Sequence, residues 1–169
     1  MKNRLILNTA IQNLSINSTL HLTNNKVQIR FVVKGELNAY IFPPKSKLQR
    51  ANELWKATCF ELFLADSQKE EYYEINFSSS LVWNFYYLKN YRAEVQELKL
   101  LNEPKIEVQQ NEDEVQIDFE LEIENLEKFD IYNVASIFLT KDNERTFWSV
   151  KHEKDVPDFH NRATFLQIK

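Results

Sequence analysis

The feature that most constrains this chain is a two-residue alternation of apolar and polar side chains that recurs along most of its length. Leu20 and Leu22 alternate with His21 and Thr23, the pair Asn24-Asn25 follows, and Val27, Ile29, Phe31 and Val33 alternate with their neighbours. Successive side chains of a strand point to opposite faces, so this spacing fits half-buried strands and not a helix. Asparagine tolerates positive φ, and Asn24-Asn25 therefore predicts a tight hairpin turn. Lys34-Gly35 is a second turn signal. Leu37, Ala39 and Ile41 predict a strand that Pro43-Pro44 stops, and 45–54 reads as a polar loop. Strands are predicted over 57–64, 72–77 and 82–88. The cleanest hairpin covers 105–123 with its turn at Asn111-Glu112-Asp113, and one helical turn is predicted over 124–129. Strands over 132–139, 146–150 and 164–168 bring the total to about ten. Many short strands separated by turns predict an all-β chain, arranged as a two-sheet antiparallel sandwich in a single domain over 1–169.

Composition narrows the function. The 169 residues suffice for one core, and 43% hydrophobic with 27% charged residues excludes a disordered chain. Rings make up 13% of the residues, which suits the flat packing surfaces of sheets. The net charge of −4 is spread without a basic patch, so nucleic acid is not an expected partner. Gly35 is the sole glycine. Loops that cradle phosphates, and the serine elbow of the α/β-hydrolases, need several glycines, so those classes are excluded. Cys59 is the sole cysteine, which rules out an intrachain disulfide. The apolar stretch at 5–7 is too short for a signal core, and no run of about 18 apolar residues exists. A cytoplasmic protein with no membrane partner is expected. The oligomeric state is not legible.

Three places break the apolar-in, polar-out rule. In Thr58-Cys59-Phe60-Glu61-Leu62-Phe63-Leu64, Glu61 shares a face with Cys59 and Phe63, so a carboxylate on a partly buried surface needs a partner. Either a structural ion pair or a ligand site would supply one. In Tyr72-Tyr73-Glu74-Ile75-Asn76-Phe77, the face of Tyr72, Glu74 and Asn76 repeats the pattern. Trp83 follows, reading as core or as a stacking platform, and then Tyr91-Arg92, whose guanidinium fork could pair with Glu61 or Glu74. The third place is Phe147-Trp148 through His152 to Asp158-Phe159-His160. Two histidines and an aspartate invite a metal reading, but their spacing matches no standard zinc pattern. Such a loop is also commonly held by side chain to backbone hydrogen bonds. No metal or other cofactor is expected, and no catalytic residue is assigned. A nucleophilic Cys59 is disfavoured by its place in mid-strand between bulky residues.

Together these segments resemble the bacterial DOMON-like proteins, relatives of the type 9 carbohydrate-binding modules. Leu54-Trp55, Thr58-Cys59-Phe60-Glu61, Tyr73-Glu74-Ile75-Asn76, Trp83, Tyr91-Arg92, Phe147-Trp148, His152 and Asp158-Phe159-His160 carry the resemblance, which spans roughly 26–168. It implies an immunoglobulin-like sandwich with a ligand face on one sheet. Trp83 or Trp148 would then be the platform for a sugar ring, with Glu61, Glu74, Asn76 and Arg92 as polar partners. Some DOMON relatives bind haem through Met with His or Lys, but the only methionine here is Met1. The resulting expectation is a non-catalytic domain binding a small polar, carbohydrate-like ligand through Glu61, Glu74, Asn76, Trp83, Arg92, Trp148, His152, Asp158 and His160. The alternatives are a metal- or haem-binding protein using His152 and His160, or a glycosidase-like enzyme using Glu61 and Glu74.

Overall fold

The computed structural model describes residues 1–7, 13–100, 102–153 and 155–168. Thirteen strands are found among them: β1 (Lys2–Leu7), β2 (Leu14–Thr23), β3 (Lys26–Gly35), β4 (Gln49–Arg50), β5 (Cys59–Ala65), β6 (Tyr72–Phe77), β7 (Val82–Asn90), β8 (Ala93–Glu97), β9 (Lys105–Gln110), β10 (Glu114–Glu122), β11 (Ile131–Leu139), β12 (Arg145–Ser149) and β13 (Leu166–Gln167). Helical structure among the described residues is confined to single 3₁₀ turns at Leu37–Ala39, Leu54–Lys56, Leu126–Lys128 and Arg162–Thr164. The chain is all-β.

The two expected hairpins form. Asn24 takes φ 52° in the turn between β2 and β3, where Thr23 pairs with Lys26. Between β9 and β10, the Asn111 side-chain oxygen accepts from the backbone N–H groups of Asp113 (2.9 Å) and Glu114 (2.8 Å). The strand expected over 37–41 is instead a 3₁₀ turn. The N–H groups of Ala39 and Tyr40 turn back onto Glu36 and Leu37, and Leu37 and Tyr40, three apart, are the residues it buries. Gly35 at φ 126° precedes that turn, and a Cβ there would lie 2.3 Å from the Asn13 carbonyl oxygen.

The strands run in one hydrogen-bonded order, β4-β7-β6-β5-β11-β12-β1-β2-β3-β10-β9, with β8 added on β7 and β13 on β11. This corrects the expectation of two separate sheets and about ten strands. β1 pairs through Lys2 to Leu5 with β2, and through Ile6 and Leu7 with β12, so a single sheet curls back on itself. Each arm has one apolar face, and curling buries both without leaving free edges between β12 and β2. Phe77 of β6 stacks on Phe119 of β10 at 4.4 Å, and Phe31 of β3 meets Phe60 of β5 at 4.9 Å. These strands stand far apart in the order, so the rings close the two arms over one core.

β5 is buried at all seven positions. Phe60, Leu62 and Leu64 enter the main core, while Phe63 and Ala65 join a second, smaller cluster on the opposite face with Tyr72, Tyr86, Leu88 and Phe159. The segment after β12 packs over that outer face: Asn133 donates to the Phe159 carbonyl at 2.9 Å, and Ser149 donates to the Asn133 oxygen at 3.1 Å. A strand covered on both faces can hold polar groups away from water, and here it does.

Candidate functional site: a cleft on the outer face of the central strands

The alternation that sends Phe60, Leu62, Ile75, Phe77 and Phe85 inward sends Glu61, Glu74, Asn76, Asn84 and Tyr86 outward. Strand register then gathers them. Glu61 lies opposite Asn76 and Phe63 opposite Glu74 across β5 and β6, while Glu74 faces Tyr86 and Asn76 faces Asn84 across β6 and β7. Glu61 and Glu74 are diagonal neighbours, a relation that places residues about 7–8 Å apart. Above them Trp55, Tyr86, Phe147 and Phe159 form aromatic walls, and Arg92, Arg145 and His160 also line the cleft of about 420 Å³. A volume of this order suits a small ligand. Larger hollows lie elsewhere, such as the groove of about 480 Å³ lined by Arg30, Lys105, Asp118 and Glu120. Its arginine and its lysine are both paired, Arg30 with Asp118 at 2.6 Å and Lys105 with Glu120 at 3.6 Å, on a solvated face.

Two networks fix the walls. At the β7 edge, the Tyr86 hydroxyl donates to the Asn52 side-chain oxygen (2.7 Å), which also accepts from Asn84 (2.8 Å), while Arg50 donates to Asn84 (2.8 Å). This ties down the segment that carries Trp55, a residue 37% exposed. On the other side, Asp158 accepts from the Tyr91 hydroxyl (2.8 Å), the Arg92 guanidinium (3.1 Å) and the His160 backbone N–H (3.2 Å). The Tyr72 hydroxyl accepts from the Arg92 backbone N–H at 3.1 Å and lies 2.8 Å from His160 Nδ1. Tyr72 thus has its proton free to donate to a neutral imidazole.

The floor is electrostatically unusual. Glu61 is 3% exposed, and among the described residues no hydrogen bond or ion pair reaches its carboxylate. Asn76 donates to Glu74 at 2.7 Å, which leaves the buried Asn76 Oδ1 without a partner. Burial pushes the Glu61 carboxyl well above the usual carboxylate range, and the neighbouring Glu74 pushes it further; Arg92 pulls it back in part. Burial likewise raises Glu74 to about 7, against the Asn76 hydrogen bond and the pull of Arg92. His160 is lowered to about 4 by burial and by Arg92, so it is neutral at physiological pH. Burial also pushes the Cys59 thiol up, which removes it as a nucleophile.

Of the nine residues singled out in the sequence, Glu61, Glu74, Arg92 and His160 line the cleft, with Asn76 beneath it and Asp158 bracing its rim. Three do not join them. Trp148 is 0% exposed in the main core, where its Nε1–H donates to Thr146 at 3.0 Å. Trp83 also faces the core, with the Arg50 guanidinium 4.3 Å over its ring. Both occupy inward positions of their strands, so neither offers a ring face to the cleft. His152 lies outside it and donates from Nε2 to the Ile6 carbonyl at 3.0 Å. His152 and His160 therefore have separate protein partners, and among the described residues no group of three His, Cys, Asp or Glu side chains could hold a metal ion. Arg92 pairs with Asp158 and not with Glu61 or Glu74. Trp55, Tyr86 and Phe147 were not selected as site residues from the sequence. A tryptophan at the end of a polar stretch was the available signal for Trp55.

No protein-family model matches the chain, and no curated protein matches it in sequence. Among solved structures it is similar to a type 9 carbohydrate-binding module from Caldicellulosiruptor kristjanssonii. In complex with cellotriose that module matches at 11% identity and a TM-score of 0.49, over 89% of this chain and 72% of that one. In complex with glucose it matches at 11% identity and a TM-score of 0.45, over 84% and 69%. The chain is also similar to a Bacteroides uniformis protein provisionally described as carbohydrate-binding, at 12% identity and a TM-score of 0.70, over 98% of this chain and 84% of that one. At this identity the likeness is one of architecture: the chain shares the fold of the Bacteroides protein.

Proposed function

We propose that the chain is a carbohydrate-binding domain whose site is the cleft over β5, β6 and β7. One observation carries this reading: a buried carboxylate without a protein partner, Glu61, opens into a cleft walled by Trp55, Tyr86 and Phe147. A sugar presents an apolar C–H face that stacks on rings, and hydroxyl donors that replace water on buried acceptors. Glu61 and Glu74 supply acceptors at the floor, and Arg92 supplies donors at the rim. The motifs behind the DOMON-like resemblance, Thr58 to Glu61 and Asp158 to His160, both contribute to this cleft, and the protein of like fold from Bacteroides is described in the same terms.

Calorimetry against a saccharide panel tests the proposal. Binding is expected with a Kd on the order of micromolar to millimolar. Trp55→Ala is expected to weaken it at least about tenfold while changing stability by less than about 1 kcal/mol, since the ring is partly solvated. Trp83→Phe, a change in the core, is expected to leave affinity within about twofold. If no saccharide binds at about millimolar concentration to demonstrably folded protein, the proposal fails.

A further inference from the structure

With its two carboxyls ionised, the floor of the cleft offers mainly hydrogen-bond acceptors. Glu61 and Glu74 contribute carboxyl oxygens to the lining, and beneath them one Asn76 N–H is committed to Glu74 at 2.7 Å while the buried Asn76 Oδ1 has no partner. Hydroxyls could satisfy such a floor in part, but each hydroxyl is also an acceptor that needs a donor in return. An ammonium group brings three donors and no acceptor, together with a charge opposite to that of the pair. No protein cation fills the role: among the described residues no Lys or Arg forms an ion pair with either carboxylate, and Arg92 is engaged by Asp158 at 3.1 Å. Arg145 sits at the rim, with its guanidinium 5.7 Å from the Phe147 ring centroid. The ring faces of Trp55, Tyr86 and Phe147 would add attraction for a cation.

Resting on the saccharide reading above, we propose that the sugar bound in this cleft carries a protonated amino group, which seats between Glu61 and Glu74. Two observations beyond the acidic pair itself point to a ligand: the cleft above it is lined by Trp55, Tyr86 and Phe147, and the buried Asn76 Oδ1 beside it has no partner.

The pair's own protonation gives the proposal a signature. In the free protein burial favours the protonated form of both carboxyls, with Glu74 raised to about 7. The titratable and charged groups around them are Cys59 on β5, Tyr72 on β6, Tyr86 on β7, Arg92 in the β7–β8 turn, Arg145 on β12, and Asp158 and His160 in the covering segment. Cys59, Tyr72, Tyr86 and His160 are all held neutral there, the tyrosines being pushed up to about 12. An incoming ammonium stabilises the ionised carboxylates. The carboxyl O–H bond then breaks, its proton passes to buffer, and the oxygen accepts an ammonium N–H, while the ammonium keeps its own protons.

Calorimetry of the wild type with glucosamine, glucose and N-acetylglucosamine, at about pH 6.5 in buffers of differing ionisation enthalpy, reads both effects. The expected result is glucosamine binding at least about tenfold tighter than the two uncharged sugars, with release of about one proton. Glu61→Gln and Glu74→Gln conserve volume, and each is expected to remove both the preference and the proton release in protein whose fold is verified by circular dichroism. Comparable binding of all three sugars without proton release would overturn the amino-group inference and leave the saccharide reading standing. Binding of none of them, nor of any other saccharide on the panel, would remove both.

Discussion

At the scale of single residues, the structure turns Glu74 and His160 into opposing pH sensors. Glu74 is raised to about 7, so the folded state holds a proton that the unfolded chain loses near the ordinary value of 4.5. Its contribution is therefore fully favourable below about pH 4.5 and is lost as pH rises toward 7. His160 is lowered to about 4, so its contribution is present above the ordinary 6.5 and is lost as pH falls toward 4. Between those limits the two slopes oppose each other, and the wild-type profile alone does not separate them. Glu74→Gln keeps an acceptor for Asn76 and removes one of the two slopes. Chemical denaturation is expected to show this variant gaining on the wild type as pH rises from about 4.5 to 7, by a difference on the order of 3 kcal/mol. A difference independent of pH would mean that Glu74 ionises in the fold as it does in water.

At the scale of elements, the legible parts were those where alternation was long. Both hairpins follow directly from it, and so does the division of Phe60, Leu62 and Leu64 from Glu61 and Phe63. What was missed has little periodic signal: β4 has two residues, β8 is exposed at every position, and β1 divides its six residues between two partners. At 37–41 the alternation misled, because burial there follows Leu37 and Tyr40. Partners across elements were the other gap. Arg92 was expected to reach a buried glutamate on its own sheet face, but the covering segment brings Asp158 to it first. That ion pair, with side chains 50% and 21% exposed, ties the β7–β8 turn to the covering segment. Exposed pairs of this kind are screened, so Arg92→Ala is expected to cost about 1 kcal/mol or less in chemical denaturation, not the 3–5 kcal/mol of a stranded buried charge. A loss within that larger range would restore a direct pairing with Glu61 or Glu74.

At the scale of the whole molecule, one sheet closes over its own core, and the aromatic content serves that closure. Phe77 touches three rings at once: Phe119 at 4.4 Å, Phe31 at 5.8 Å and Phe60 at 6.0 Å. Phe77→Ala is expected to cost about 3–5 kcal/mol by denaturation, since the cavity lies where both arms meet and neither can relax alone. A cost under about 1 kcal/mol would mean that the arms are stabilised independently. The same closure dictates where the site lies. With the inner face filled by Phe31, Phe60, Phe77, Trp83 and Trp148, the sequence's polar exceptions are left on the outer face of β5, β6 and β7, beneath the segment that carries Asp158 and His160. Alternation made that face legible, and it also turns Phe147 outward beside the inward Trp148, whereas Trp55 reaches the face from a 3₁₀ turn through tertiary contacts. The most direct test of the carbohydrate-binding cleft is an amide chemical-shift titration with the saccharide that binds most tightly. Perturbations are expected to cluster at Trp55, Glu61, Glu74, Tyr86, Arg92, Phe147 and 158–160. Perturbations confined to the groove around Arg30 and Glu120, or none at saturating sugar, would contradict the account.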